Sequence, residues 1–149
     1  MGRKSYSGYL VFMAGNLISW GCSKQHTVAL SSTEAEYMAL SDMTREVMHL
    51  IHMIGEFATV PRPITVFCDN KGAIFLGDKA INNKRSKHID IRFHFVRDHI
   101  QKGDIVTEYV GTKDNYSDVL TKPVTRETTE QFVQCVMHVD IQVPDPKSG

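Results

Sequence analysis

Three carboxylates stand where a fold could gather them. Glu36 lies in Ser31-Ser-Thr-Glu-Ala-Glu-Tyr37, Asp69 ends the apolar run 64–69, and Asp118 follows Ser117 after a turn. Each falls at the end of an expected element: a helix start, a strand end and a helix start. In open α/β sheets, ligands bind outside the carboxyl ends of strands, where such positions can converge. Converging carboxylates repel one another and need cations. Hard oxygen ligands suit Mg2+ or Mn2+ rather than zinc. Two such ions, about 3.5–4 Å apart, activate a water and stabilise the leaving oxygen in phosphodiester cleavage. Each acid also has an ordinary explanation. Asp69 can cap the helix after it, and first-turn carboxylates such as Glu36 and Asp118 are favoured by the helix dipole alone.

The surroundings of Glu36 argue for more than a solvated acid. Leu40, Met43, Val47, Leu50 and Ile54 step by three and four, the stripe of an amphipathic helix. Extended backwards, that stripe passes through Glu36. Glu34 lies roughly 160° from it, at about 100° per residue. Ser31 and Glu34 have capping-box spacing, and Thr33 with Glu36 offers a second register. Glu34 is therefore expected to cap, and Glu36 to face the core edge, where a carboxylate is costly unless paired or metal-bound.

The rest of the chain must position these acids. Its 149 residues suit one domain with a proper core, and 42% hydrophobic with 23% charged residues is ordinary for a globular protein. Lys plus Arg equals Asp plus Glu at 17 each, so nucleic-acid binding would need local patches. Cys22, Cys68 and Cys135 form no CxxC or zinc pattern, which points to an intracellular setting. No run approaches the roughly 18 apolar residues of a membrane span, and no membrane partner is expected. Residues 9–14 and 17–21 read as a hairpin turning at Gly15-Asn16, and 27–30 as a short third strand. A long helix covers 32–54. His49 and His52 on it are spaced i, i+3 but lack a third ligand, and read as surface histidines. Strand 64–69, a short helix from Lys71 that Asn70 can cap, a helix 88–101 and a strand 104–110 follow. A helix begins at Tyr116 with Ser117 as its cap, and an amphipathic helix covers 126–138. Lys84, Arg85, Lys87, His88, Arg92 and Arg97 form the most basic region, either a solvated face or a phosphate-contacting loop.

Several motifs together resemble the ribonuclease H domain of copia-type LTR-retrotransposon polyproteins. They are Arg3-Lys-Ser-x-Ser-Gly-Tyr9, Ile18-Ser-Trp20, Ser23-Lys-Gln25, residues 28–37, Cys68-Asp-Asn70, Ser86-Lys-His-Ile-Asp-Ile91 with His94-Phe95, and Ser117-Asp-Val-Leu-Thr-Lys-Pro123, in the family's order. The resemblance implies a domain over 1–140 with a tail at 141–149. It also implies an α/β fold: a mixed sheet of five strands flanked by helices. By the same resemblance, Glu36, Asp69 and Asp118 are the second, third and fourth catalytic carboxylates and metal ligands, with Ser117 in place of the usual Ala. The activity implied is cleavage of RNA in RNA–DNA hybrids with Mg2+ or Mn2+, two ions in a complete site.

The family's first Asp lies in a strand just upstream of the Arg-Lys-Ser motif. This chain starts at that motif, and residues 1–33 hold neither Asp nor Glu. The first central strand is accordingly expected to be missing, leaving two backbone edges unpaired unless they are re-paired. Asn70, Lys84, Arg85, Lys87 and Lys122 are the candidate nucleic-acid contacts, reading the hybrid by shape. The partners implied are that hybrid and the upstream reverse transcriptase region, in cytoplasm, virus-like particle or nucleus. The alternative is an inactive or co-opted module that keeps the fold and binds nucleic acid or a partner strand. Integrase-type chemistry fits less well, because Thr33-Glu-Ala-Glu-Tyr37 belongs to the hydrolase branch.

Overall fold

A computed structural model of the chain describes residues 4–78 and 87–138. The basic Lys84 and Arg85 and the tail 141–149 lie outside them, and Lys87 is described only as the first backbone position of a helix. The architecture is mixed α/β, as expected. The strands β1 (Tyr6–Met13) and β2 (Asn16–Lys24) form an antiparallel hairpin. The strands β3 (Ile64–Cys68) and β4 (Ile105–Tyr109) form a parallel pair. The helices are α1 (Ser32–Gly55), α2 (Lys71–Asp78), α3 (Lys87–Gln101), α4 (Asp118–Thr121) and α5 (Arg126–Met137).

The described strands do not form one continuous sheet. Four strands make two separate ladders, and among the described residues no re-pairing joins them. Both ladders rest on α1, through β1 and β3, and helices α2 and α3 pack on the same helix. Segment 27–30 is not a strand. Leu30 is 88% exposed, and nothing pairs with the segment's backbone among the described residues, so its apolar run has no sheet to join. Gln25 makes the connection instead. It donates from Nε2 to Ser7 Oγ at 3.0 Å and to Ala35 O at 2.8 Å, tying the hairpin to the start of α1.

The hairpin turn falls one residue earlier than its Gly-Asn signal. Met13 pairs with Asn16, so the loop is Ala14-Gly15, with φ of 50° and 79°. Two-residue hairpin loops take positive φ because it matches the strands' twist, and glycine adopts it without strain. Asn16 serves from outside the loop, donating from Nδ2 to Ala14 O at 3.1 Å.

Ser31 caps α1 as its spacing predicts, accepting from Glu34 N at 3.1 Å. Glu34 itself is not on a solvent face: it is 8% exposed. The reason is that α1 has neighbours on more than one side. Tyr37, Met38, Ser41, Thr44 and Ile51 are buried alongside Leu40, Val47 and Leu50, a face wider than the predicted stripe. The core gathers Tyr37, Leu40, Val47 and Ile51 of α1, Val66 and Cys68 of β3, Ala73 of α2, Val96 of α3 and Ile105 of β4. Tyr37 stacks on Phe93 with ring centroids 4.0 Å apart. Alternate residues of β3 point away from this core, which leaves Phe67 61% exposed.

At the amino ends of β3 and β4, Asp104 forms a knot. Its buried carboxylate accepts from Arg62 through Oδ1 and meets His99 Nδ1 through Oδ2 at 2.7 Å, while its carbonyl accepts from Ile64 N at 2.9 Å. The bond to His99 holds the Asp104 carboxyl below its ordinary 3.8; burial pulls the other way, and the Arg62 bond and charge add to the lowering. Its stabilising contribution is therefore whole above that ordinary value and is lost as pH falls through the lower folded value. Asp104→Asn is expected to cost about 2 kcal/mol at neutral pH. Urea denaturation as a function of pH should show the gap to the parent shrinking below pH 3.8. An unchanged gap at low pH would show that the carboxylate's charge is not what Arg62 and His99 stabilise.

Candidate functional site

Three local structures place the carboxylates. Glu36 sits in the first turns of α1, fixed by the Ser31 cap. Asp69 follows the last residue of β3, and Asn70 then caps α2, its Oδ1 accepting from Ala73 N at 3.0 Å. Asp118 opens α4. That short helix is held against the hairpin by a close approach. A Cβ on Gly8 of β1 would lie 2.6 Å from Thr121 Cγ2 and 3.2 Å from Ser117 O, so only glycine lets α4 come this near. Cys22 of β2 adds a thiol bond to Leu120 O at 3.0 Å. Ser117 does not cap α4. Its hydroxyl donates to Asn115 Oδ1 at 2.6 Å, and its own backbone is already helical, so the side chain is turned away from the helix's free N–H groups.

The structure brings Glu36 and Asp69 together and adds a residue that sequence reasoning did not single out. Glu36, Cys68 and Asp69 each offer a ligand atom, all within 4.8 Å of one another. In the sequence Cys68 figured in a motif and among three cysteines without a zinc pattern, not as a site residue. The signal available was the parity of β3, in which Val66 and Cys68 share the covered face. Asp118 is engaged separately: Lys122 Nζ donates to its Oδ2 at 2.9 Å. It still belongs to the same electrostatic unit. The Glu36 carboxyl is pushed above its ordinary 4.5, first by burial, then by the charges of Asp69 and Asp118, with Lys122 opposing. Burial likewise raises the Cys68 thiol, the backbone of Asn70 opposes, and Glu36 and Asp69 add to the rise.

The two carboxylates of this cluster are donors of the kind a hard divalent cation takes, and the Cys68 thiol is not. Carboxylate oxygens dominate, and a half-buried Glu36 beside two further acids is a charge in search of compensation. The other expected contacts divide. Asn70 uses its side chain as a helix cap, and Lys122 stands at the carboxylates. Arg92, from the basic stretch, is turned inward to Asp42 Oδ1 at 3.2 Å and Met38 O at 3.3 Å, so it braces α3 on α1. His49 and His52 are exposed and join no ligand cluster among the described residues. Lys71 rests its ammonium over the Tyr109 ring, 4.7 Å from the centroid. No described helix is long and apolar enough to cross a membrane.

The chain has relatives among known proteins. Over 129 residues, 86% of the chain, it is 36% identical to the "Retrovirus-related Pol polyprotein from transposon RE1" of Arabidopsis thaliana. Over 137 residues, 91% of the chain, it is 37% identical to the "Retrovirus-related Pol polyprotein from transposon TNT 1-94" of Nicotiana tabacum. The chain spans about a tenth of the length of these relatives, 9% and 10%. No protein-family model matches it, and no solved structure does.

The raised Glu36 carboxyl carries a stability consequence. Its ionised form is disfavoured in the folded state, so the fold bears that cost wherever Glu36 is charged, and loses it once both states are protonated below the ordinary 4.5. Glu36→Gln is therefore expected to raise the melting temperature at pH 7, with the gain fading as pH falls toward that value. Thermal melts of both proteins across pH check this. A lower melting temperature for the variant at pH 7 would mean that Glu36 is compensated within the chain.

Proposed function

This chain belongs with the retrovirus-related Pol polyproteins of copia-type transposons, matching one segment of them, and from that kinship we propose that it is their ribonuclease H domain. In this reading it hydrolyses the RNA strand of RNA–DNA hybrids during reverse transcription. The observation that carries the reading is the meeting of Glu36 and Asp69, far apart along the chain, with ligand atoms within 4.8 Å. The motif resemblance supports it independently, because it assigns the same two residues and Asp118 to the catalytic set.

Glu36 and Asp69, with Asp118, would hold Mg2+ or Mn2+. Bound there, a divalent ion supplies a more acidic water and charge neutralisation at the phosphodiester. The chain's own residues do the rest by position. The end of β3 and the capped start of α1 hold the two acids rigidly, since both elements are anchored in one core. Burial strengthens the field they exert. Lys122, bonded to Asp118, stands where it would meet a phosphate backbone, which fixes a hybrid without reading its sequence. The partners in this reading are the hybrid and the reverse transcriptase region of the same polyprotein.

A second reading has its own observation. The ladders of β1–β2 and β3–β4 both rest on α1 yet are not joined, so β1 and β3 each keep one edge outside any ladder among the described residues. Such edges accept an added strand. A module that keeps the fold and binds a partner's strand without catalysis would use them.

The test is hybrid cleavage by the chain joined to the segment that precedes its match in a relative. With Mg2+, cutting confined to the RNA strand is expected, and Glu36→Gln or Asp69→Asn should lower the rate by at least about 100-fold. Cleavage that survives Glu36→Gln would remove Glu36 from the catalytic set; no cleavage by the joined protein would remove the ribonuclease reading and leave the binding module.

A further inference from the structure

Lys122 stands at the carboxylates for a reason that fold stability does not supply. It lies one turn after Asp118, and its ammonium donates to Asp118 Oδ2 at 2.9 Å. Exposed pairs at i, i+4 contribute little to stability. Yet this ammonium is drawn into the whole acidic group. Its pKa is pushed above the usual lysine value by the bond to Asp118, with burial opposing, and by the charges of Asp118, Asp69 and Glu36. The same ammonium opposes the rise at Glu36. Its bond goes to Asp118, and Asp69 and Glu36 feel only its charge.

That arrangement conflicts with a divalent ion in one specific place. Asp118 Oδ2 can accept from an ammonium or give its lone pair to a metal, and two cations side by side repel. Lys122 is free to yield. Its side chain is 56% exposed, and a flexible four-carbon stem lets the ammonium move without the backbone. We infer that Lys122 is an exchangeable counter-ion: it and the divalent cation compete for Asp118, and the displaced ammonium turns to the phosphate backbone of the bound nucleic acid. This rests on the ribonuclease reading, because it requires the cation at Asp118. It gives Lys122 a positioning role, holding Asp118 toward the site and then coupling cation uptake to substrate contact.

Two measurements without nucleic acid test it. In calorimetric titration with Mn2+, Lys122→Gln is expected to bind about two- to fivefold more tightly than the parent, the range set by losing one exposed competing pair. Lys102→Gln, whose ammonium pairs with Asp98 at 2.6 Å on α3, should not change Mn2+ affinity. In a lysine-ammonium NMR spectrum, the resonance missing from Lys122→Gln should shift or broaden as Mg2+ saturates the parent. In Asp118→Asn that response should be absent. Equal or weaker Mn2+ binding by Lys122→Gln, or a Lys122 resonance unmoved at saturating Mg2+, overturns the exchange and leaves the metal centre standing. A parent that takes up neither ion overturns the ribonuclease reading and the exchange with it.

Discussion

Like charges do not collect at the edge of a core unless something else compensates them. Glu36 and Asp69 are drawn together, with the charge of Asp118 acting on Glu36, by three elements whose own packing is independent of those charges: the capped start of α1, the end of β3 and the short α4 wedged against Gly8. Burial and mutual repulsion then raise the Glu36 carboxyl, and Lys122 supplies only a partial answer. The apolar core sets the geometry, and the electrostatic debt is confined to one corner. Function and stability pull in opposite directions at that corner, as they do wherever a binding site is prepared ahead of its ligand.

Helix α1 is the shared element behind this arrangement. It touches the hairpin through β1, the parallel pair through β3, and the two helices α2 and α3. Its length lets one end carry chemistry while the other end carries only packing. The far side of the parallel pair has its own polar anchor in Asp104, which joins the loop before β3, the end of α3 and the start of β4. The site and this anchor occupy opposite ends of the same two strands, so the strands are fixed at both.

Much of this was legible in the residues. The stripe from Leu40 to Ile54 located α1, Ser31 located its cap, and the run ending in Asp69 located β3. Local rules worked where one neighbour decides the outcome. They failed where several neighbours do. Glu34 lies far round the helix from the apolar stripe, yet it is buried, because α1 is covered on more than one side. Residues 27–30 carried strand-forming types, but a strand exists only if a ladder accepts it. Ser117 had the composition of a cap and lost the role to its bond with Asn115. Cys68 and the Lys122 bond to Asp118 depend on which face of β3 is covered and on where α4 docks, and neither is a property of local sequence.

The separation of the two ladders has a bearing on how the molecule opens. The hairpin closes through neighbours adjacent in sequence, whereas β3 and β4 meet only after the excursion through α2 and α3. With no hydrogen bonds between ladders among the described residues, the sheet does not couple them, and α1 is their common support. Amide hydrogen exchange would then fall into two cooperative units, with the backbone of α1 protected to the level of the more stable one. Glu36 and Asp69 lie on the seam between those units, so motions that part them would also separate the two carboxylates.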